Sequence, residues 1–251
     1  NQAFLKYLIA LLLFGSNGIV ASHISLSSYE IVFTRTLIGS LFLILIFVFS
    51  RQPTRFQRNK RHFCYLVISG VAMGASWMFL YEAYTSLATL AYYCGPVIVM
   101  MLAPLLFKEK MTAVKLAGFL AVLLGMLLVN GPSLLQGRAS WGLLFGILAA
   151  CMYAVMVVFN KKAVSIVGLE NPMWQLIISF LTVAIFVGLK QGLAIPIVPQ
   201  NWLPILVLGV VNTGIGCDFY FSSIGELPVQ TVAVGGSLEA PSPPFFSAAR
   251  L

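Results

Sequence analysis

Arg35 and Glu82 have the most chemistry to offer, because each is ionisable and each falls inside a run of apolar side chains. A charge in such a run is costly; it is usually set against a partner or a wet cavity, and it marks function by default. The guanidinium of Arg35, flanked by Thr34 and Thr36, presents a planar fork that matches a carboxylate. The alternatives are an ion pair with Glu30 or Glu82, or snorkelling to the interface. Glu30 is a poor partner, since five residues turn a helix by about 140°. Glu82 is a candidate proton-coupling carboxylate, because a carboxyl group taken out of water holds its proton more readily; equally, it neutralises Arg35. Asp218, in a later apolar run, is a second candidate for the coupling role. Trp77, Tyr81 and Tyr84 recur at i, i+4 and i+7 and so share one helix face. They read either as the wall of a cavity or as packing and an interfacial belt. Tyr92 and Tyr93 open the next run, where a belt explains at least one of them. Asn17, within Gly15-Ser16-Asn17-Gly18, either lines the cavity or bonds to a neighbouring helix.

The elements that must hold these residues are transmembrane helices. Apolar residues make up 60% of the 251 and charged residues only 9%, and mean hydropathy is +0.96, against about 25% charged in a soluble chain. A span needs about 20 apolar residues. Eight stretches qualify, at 4–21, 31–49, 63–84, 90–107, 114–129, 141–159, 173–189 and 202–222. A ninth, 229–251, is poor because it carries Glu239, Pro241, Pro243, Pro244 and Arg250. The net charge of +8 is dispersed between apolar runs and forms no basic face, so nucleic acid is not expected as a partner. Cys64, Cys94, Cys151 and Cys217 lack ligand-like spacing, His23 and His62 fall in connecting segments, and neither a metal nor a cofactor is expected. No nucleophile elbow, phosphate loop or paired-histidine motif points to an enzyme. Small-residue stripes at Ala117, Ala121 and Gly125, and at Gly142, Gly146, Ala150 and Ala154, suit close helix packing, with a homodimer face as the alternative.

Lysine and arginine orient the spans. With the N-terminus cytoplasmic, that side receives Lys6, Arg51, Arg55, Arg58, Lys60, Arg61, Lys108, Lys110, Lys115, Lys161 and Lys162. The opposite side receives only Arg138 and Lys190. The chain also resembles itself. Phe79-Leu80-Tyr81 and Leu87 match Phe219-Tyr220-Phe221 and Leu227 at an offset of 140. Phe14 falls opposite Tyr153, and Tyr29-Glu30-Ile31 opposite Trp174-Gln175-Leu176, at offsets of 139 and 145. A repeat of five spans is odd, so its two copies, 1–130 and 139–251, must enter the membrane from opposite sides. That is the inverted-repeat plan of secondary transporters, whose substrate site lies near the midplane.

Four segments, in this order and spacing, resemble the drug/metabolite transporter superfamily, of the EamA-like kind. They are Ser28-Tyr29-Glu30-Ile31-Val32-Phe33-Thr34-Arg35, Tyr84-Thr85-Ser86-Leu87-Ala88-Thr89, Leu106-Phe107-Lys108-Glu109-Lys110-Met111-Thr112 and Leu227-Pro228-Val229-Gln230-Thr231-Val232-Ala233. The resemblance implies ten helices in two inverted repeats, cytoplasmic termini and export of amino acids or other small metabolites. It departs at Glu239, which Ala240 separates from Pro241 where the family has a Glu-Pro pair. After Val234 the chain turns rich in Gly and Pro, and a tenth helix is expected to be missing, as in a truncated or altered C-terminus. The expectation is therefore an all-α polytopic protein of the bacterial plasma membrane, a helix bundle of two inverted five-helix repeats. It would export a small zwitterionic or carboxylate-bearing metabolite by alternating access. Arg35, Trp77, Tyr81, Tyr92, Tyr93 and Asn17 would bind the substrate, while Glu82 and Asp218 would couple a proton. The rival expectation is a membrane protein that transports nothing.

Overall fold

In the computed structural model the described residues are 2–84, 94–109, 116–117, 120–121, 124, 140–193 and 199–236. All regular structure among them is helical. The helices are α1 Gln2–Gly15, α2 Asn17–Ala21, α3 Ser28–Phe49, α4 Lys60–Tyr84, α5 Cys94–Phe107, α6 Ser140–Lys162 and α7 Glu170–Lys190. They continue as α8 Trp202–Leu206, a π-helical stretch Val207–Ile215, α9 Gly216–Ile224 and α10 Val229–Gly236. Six helical segments among them are long and apolar enough to cross a membrane, and α5 is a shorter apolar helix. Most of the span expected at 114–129 lies outside the described residues, as do Tyr92, Tyr93, Gly125 and Glu239.

Local chemistry sets the ends of α3. Ser27 accepts from Glu30 N at 3.3 Å, and Glu30 Oε2 accepts from Ser27 N at 2.7 Å, a reciprocal cap on two orphan donors. The apolar run then carries the helix for 22 residues, about 33 Å and enough to span hydrocarbon. It stops where Arg51 takes a left-handed φ of 48°, a common way to end a helix. Ser27→Ala is expected to cost about 1 kcal/mol, read as a lower unfolding midpoint in detergent with function retained.

The first span is not one straight helix. It breaks at Ser16, whose hydroxyl bonds back to Leu13 O at 2.8 Å, and a Gly/Ser pair is a usual place for such a break. Asn212 of the π stretch donates to both Leu13 O and Ser16 Oγ at 2.8 Å. There the break in α1 and the widened turn of the eighth span lie against each other.

The long helices pack in a regular pattern. α4 lies on α6 and α7, α3 on α7 and the π stretch, α1 on α9 and α10, and α5 on α6 and α10. Small residues set the closest approaches. A Cβ at Gly74 would lie 2.8 Å from the Ser179 carbonyl oxygen, and one at Gly39 would lie 2.9 Å from Leu176 Cδ2. The α6 small-residue stripe is spent inside the chain, with Gly146, Ala150 and Ala154 all buried. Ala117 and Ala121 are exposed.

One end of the bundle is basic and tied by loops. Glu170, 1% exposed, accepts from Arg55 N at 2.9 Å and from Phe56 N at 3.0 Å. Glu109 accepts from Val229 N at 2.6 Å and Gln230 N at 3.1 Å, capping α10. Lys161 donates to Leu227 O. His62 sits in the first turn of α4 rather than in a connection, with Nδ1 2.7 Å from Ser165 Oγ. Beneath this end lies a buried amide cluster, in which Asn160 donates to Asn171 Oδ1 at 2.9 Å and to Gln175 Oε1 at 3.2 Å.

Candidate functional site

Seven residues into α3, about 10 Å along its axis, stands Arg35. It is 7% exposed, so the guanidinium neither snorkels nor faces lipid. It makes no ion pair with Glu30, whose carboxylate closes the α3 cap, nor with Glu82. Its guanidinium carbon lies 4.5 Å from the centre of the Trp77 ring on α4, a cation–π contact worth roughly 0.5–2 kcal/mol. Its Nε is buried and has no hydrogen-bond partner among the described residues. A buried unpaired donor costs about 1–3 kcal/mol, and more where charged, and no described residue supplies this one with an acceptor.

Helix α7 provides the opposite wall. Its register against α3 is fixed by Tyr29 on Phe186, ring centroids 6.4 Å apart, by Phe33 on Phe180, 5.4 Å apart, and by Gly39 against Leu176. That antiparallel register puts Ser179 at the depth of Arg35. The Gly74–Ser179 contact brings α4 to the same level, with Trp77 one turn further on. Ser179 is fully buried, and its hydroxyl also lacks a partner among the described residues. Tyr81 lies one turn above Trp77, packed on Val32, Met78, Val183 and Val187.

Glu82 is drawn away from Arg35 to the end of the bundle opposite the basic loops. It pairs with Lys190 of α7 and accepts from Tyr29 Oη of α3 at 2.5 Å, while Lys190 also donates to Tyr29 at 2.8 Å. This cluster closes α3, α4 and α7 over Arg35. Asp218 is partly buried on α9, within electrostatic reach of Lys6. Gly214, four residues before it, meets Phe42, so Asp218 stands well beyond Arg35 along α3. Asn17 follows the α1 break, its Oδ1 buried without a partner among the described residues; the bond across that break belongs to Asn212 instead.

Arg35 and Trp77 are thus brought together, with Tyr81 above them; Glu82 and Asp218 lie towards opposite ends, and Asn17 stands at the α1 break. Sequence reasoning missed Tyr29, Lys190 and Ser179. A lone hydroxyl within Ile177-Ile178-Ser179-Phe180-Leu181 was the available signal for the last of these. For Lys190, which reads as a loop charge, no sequence signal fixed its partner.

Comparison with known proteins places this arrangement in context. The model of the EamA-like transporter family matches residues 2–131 and 140–248. A Bacillus subtilis protein named "Uncharacterized transporter YxxF" is 26% identical over 247 residues, covering 93% of this chain and 77% of that protein. An uncharacterized transporter of Helicobacter pylori is 28% identical over 148 residues, covering 55% of this chain and 50% of that one. A solved crystal structure superposes with a TM-score of 0.73 at 18% identity, covering 98% of this chain and 93% of that one. At that identity the likeness shows the fold.

Proposed function

The chain belongs to the EamA-like transporter family, and from that premise we propose that this multi-pass membrane transporter is a secondary carrier. It exports a small carboxylate-bearing metabolite across the bacterial plasma membrane by alternating access, with its N-terminus cytoplasmic. The observation that carries this reading is buried Arg35, whose guanidinium lies over Trp77 and whose Nε has no partner among the described residues. In this reading Arg35 takes the substrate's negative end, Trp77 and Tyr81 wall its apolar part, and Tyr92, Tyr93 and Asn17 complete the path.

Two inverted repeats, 1–130 and 139–251, supply the moving halves. The packing supports this. When α1 is exchanged with α6, α3 with α7, α4 with the eighth span (α8, the π stretch and α9), and α5 with α10, the contacts map onto one another. The α4–α6 contact becomes α9–α1, α4–α7 becomes the π stretch on α3, and α5–α6 becomes α10–α1, and all of these are present. Contacts that a two-fold operation preserves are those about which two halves can rock. The clustering of Arg55, Lys161 and the neighbouring basic loops at one end agrees with a cytoplasmic face there.

Glu82 is assigned the coupling role. Protonating it discharges its pair with Lys190 and loosens the Tyr29–Glu82–Lys190 cluster that ties α3, α4 and α7. The test is flux into proteoliposomes under an imposed pH gradient. Wild-type flux is expected to follow the gradient, and Glu82→Gln is expected to carry substrate with the gradient dependence lost. Flux that ignores both the gradient and the substitution removes the coupling role. A metabolite export or resistance screen in cells tests the carrier reading itself; absence of any exported compound contradicts it.

A further inference from the structure

Beyond the unpaired guanidinium, the placement of the chain's other charges limits what Arg35 can hold. Six of the seven acidic residues lie among the described residues, and none stands at its depth. Glu30 is closed in the α3 cap. Glu82 is held by Lys190 and Tyr29 at the end of the bundle. Glu109 and Glu170 each accept two or more backbone N–H groups at the basic end. Glu226 is exposed in the turn after α9. Asp218 lies past Gly214, which itself meets α3 at Phe42, two turns beyond Arg35. The buried amides of Asn160, Asn171 and Gln175 are engaged with one another. Opposite Arg35 in the α3–α7 register stands Ser179, whose fully buried hydroxyl has no partner among the described residues and is free to donate.

From this we infer that the Arg35–Trp77–Ser179 level is a site for a net-negative organic acid, a carboxylate with no ammonium group on the adjacent carbon. The inference rests on the carrier reading above and narrows it, because a zwitterion fits the site poorly. The carboxylate of such a substrate meets the guanidinium fork and the serine hydroxyl, both donors, in a low-dielectric setting where charge-assisted bonds are strong. The ammonium of an amino acid would sit within a few ångströms of the same guanidinium, with no carboxylate among the described residues to receive it. Like charges so placed repel, and an ionised group left unpaired in such a setting is costly. One face of the Trp77 indole is already covered by the guanidinium, so a substrate ammonium cannot take that face. The site therefore selects by net charge as well as by shape.

The test uses the full chain in detergent and in vesicles, with three pairs of probes matched in carbon skeleton. These are pyruvate against alanine, 4-methyl-2-oxopentanoate against leucine, and phenylpyruvate against phenylalanine, each binding constant being measured by calorimetry. At least one oxo acid is expected to bind, at least tenfold more tightly than its amino acid. Ser179→Ala is expected to weaken that oxo acid at least about tenfold, the loss of one hydrogen bond to a charge, and Arg35→Lys to weaken it further. Both substitutions keep the helix and its packing volume, so the test does not depend on a variant that unfolds. Amino acids binding as tightly as the oxo acids, binding indifferent to Ser179→Ala and Arg35→Lys, or no oxo acid bound at all would each overturn the inference. Counterflow in the same vesicles separates the two failures. Carriage of the amino acids without preference for the oxo acids sinks the anion assignment and leaves the carrier reading standing. An oxo acid bound at Arg35 with no counterflow of any probe sinks the carrier reading alone.

Discussion

Arg35→Gln is expected to lower substrate affinity and transport about 100-fold while leaving the purified protein at least as stable as the wild type. The two halves of that result have separate causes. A carboxylate held by a guanidinium and a neighbouring hydroxyl gains about 2–3 kcal/mol from charge-assisted bonds, and each 1.4 kcal/mol is tenfold in affinity. Stability moves the other way, because the wild type keeps an ion buried at 7% exposure with no counter-charge among the described residues, and removing an uncompensated buried charge relieves its desolvation. The loss of the Trp77 contact, about 0.5–2 kcal/mol, offsets part of that gain. A structural arginine would behave differently, losing stability along with function. Ligand affinity by calorimetry and the unfolding midpoint of the same detergent sample separate the two behaviours.

Glu170→Ala gives the largest expected loss of stability, about 3 kcal/mol. Its carboxylate accepts from Arg55 N and Phe56 N, at 2.9 and 3.0 Å, where the basic loop joins α4. Bonds to a charged acceptor contribute roughly 1.5–3 kcal/mol each. Water entering the cavity left by the substitution recovers part of this for the two freed N–H groups. At roughly 2–4 °C per kcal/mol for a chain of this size, the midpoint should fall by about 6–12 °C. Glu170→Gln, which keeps one acceptor and the volume, should lose about half as much. Binding at Arg35 should be unchanged in both, since Glu170 lies at the basic end and touches no residue of that level.

The sequence made some of these features legible because they rest on local physics. The apolar run at 31–49 marked α3, and the Ser27–Glu30 cap sets its start at Ser28. Polar side chains within apolar runs pointed to Arg35, whose burial follows from the cost of leaving a charge in lipid. That the chain is an all-helical bundle with membrane-length spans followed from hydropathy alone, and the family from four short segments. What stayed hidden depends on how helices rotate against each other. Hydropathy does not distinguish the π stretch at 207–215 from an ordinary helix, because the widened turn is stabilised by contacts such as Asn212 with α1. The partner of Glu82 turned out to be Lys190, 108 residues away. Nothing in the local pattern favours that over Arg35, which is closer in sequence and also cationic. Ser179 gained its meaning only once Gly74 had brought α4 against α7. Glycines that permit close approach are visible in a sequence, but which helix approaches them is not.

The most direct measurement follows the Arg35 guanidinium itself. In protein labelled with ¹⁵N-arginine, the Nε–H resonance of Arg35, assigned by its loss in Arg35→Lys, reports whether that proton gains an acceptor. Titration with a transported carboxylate is expected to move this resonance saturably, with a midpoint equal to the calorimetric dissociation constant, and to leave the Arg51, Arg55, Arg58 and Arg61 signals in place. A resonance that stays fixed while the same compound is bound and carried would show that the substrate is held elsewhere, and that the buried guanidinium serves only the packing of α3, α4 and α7.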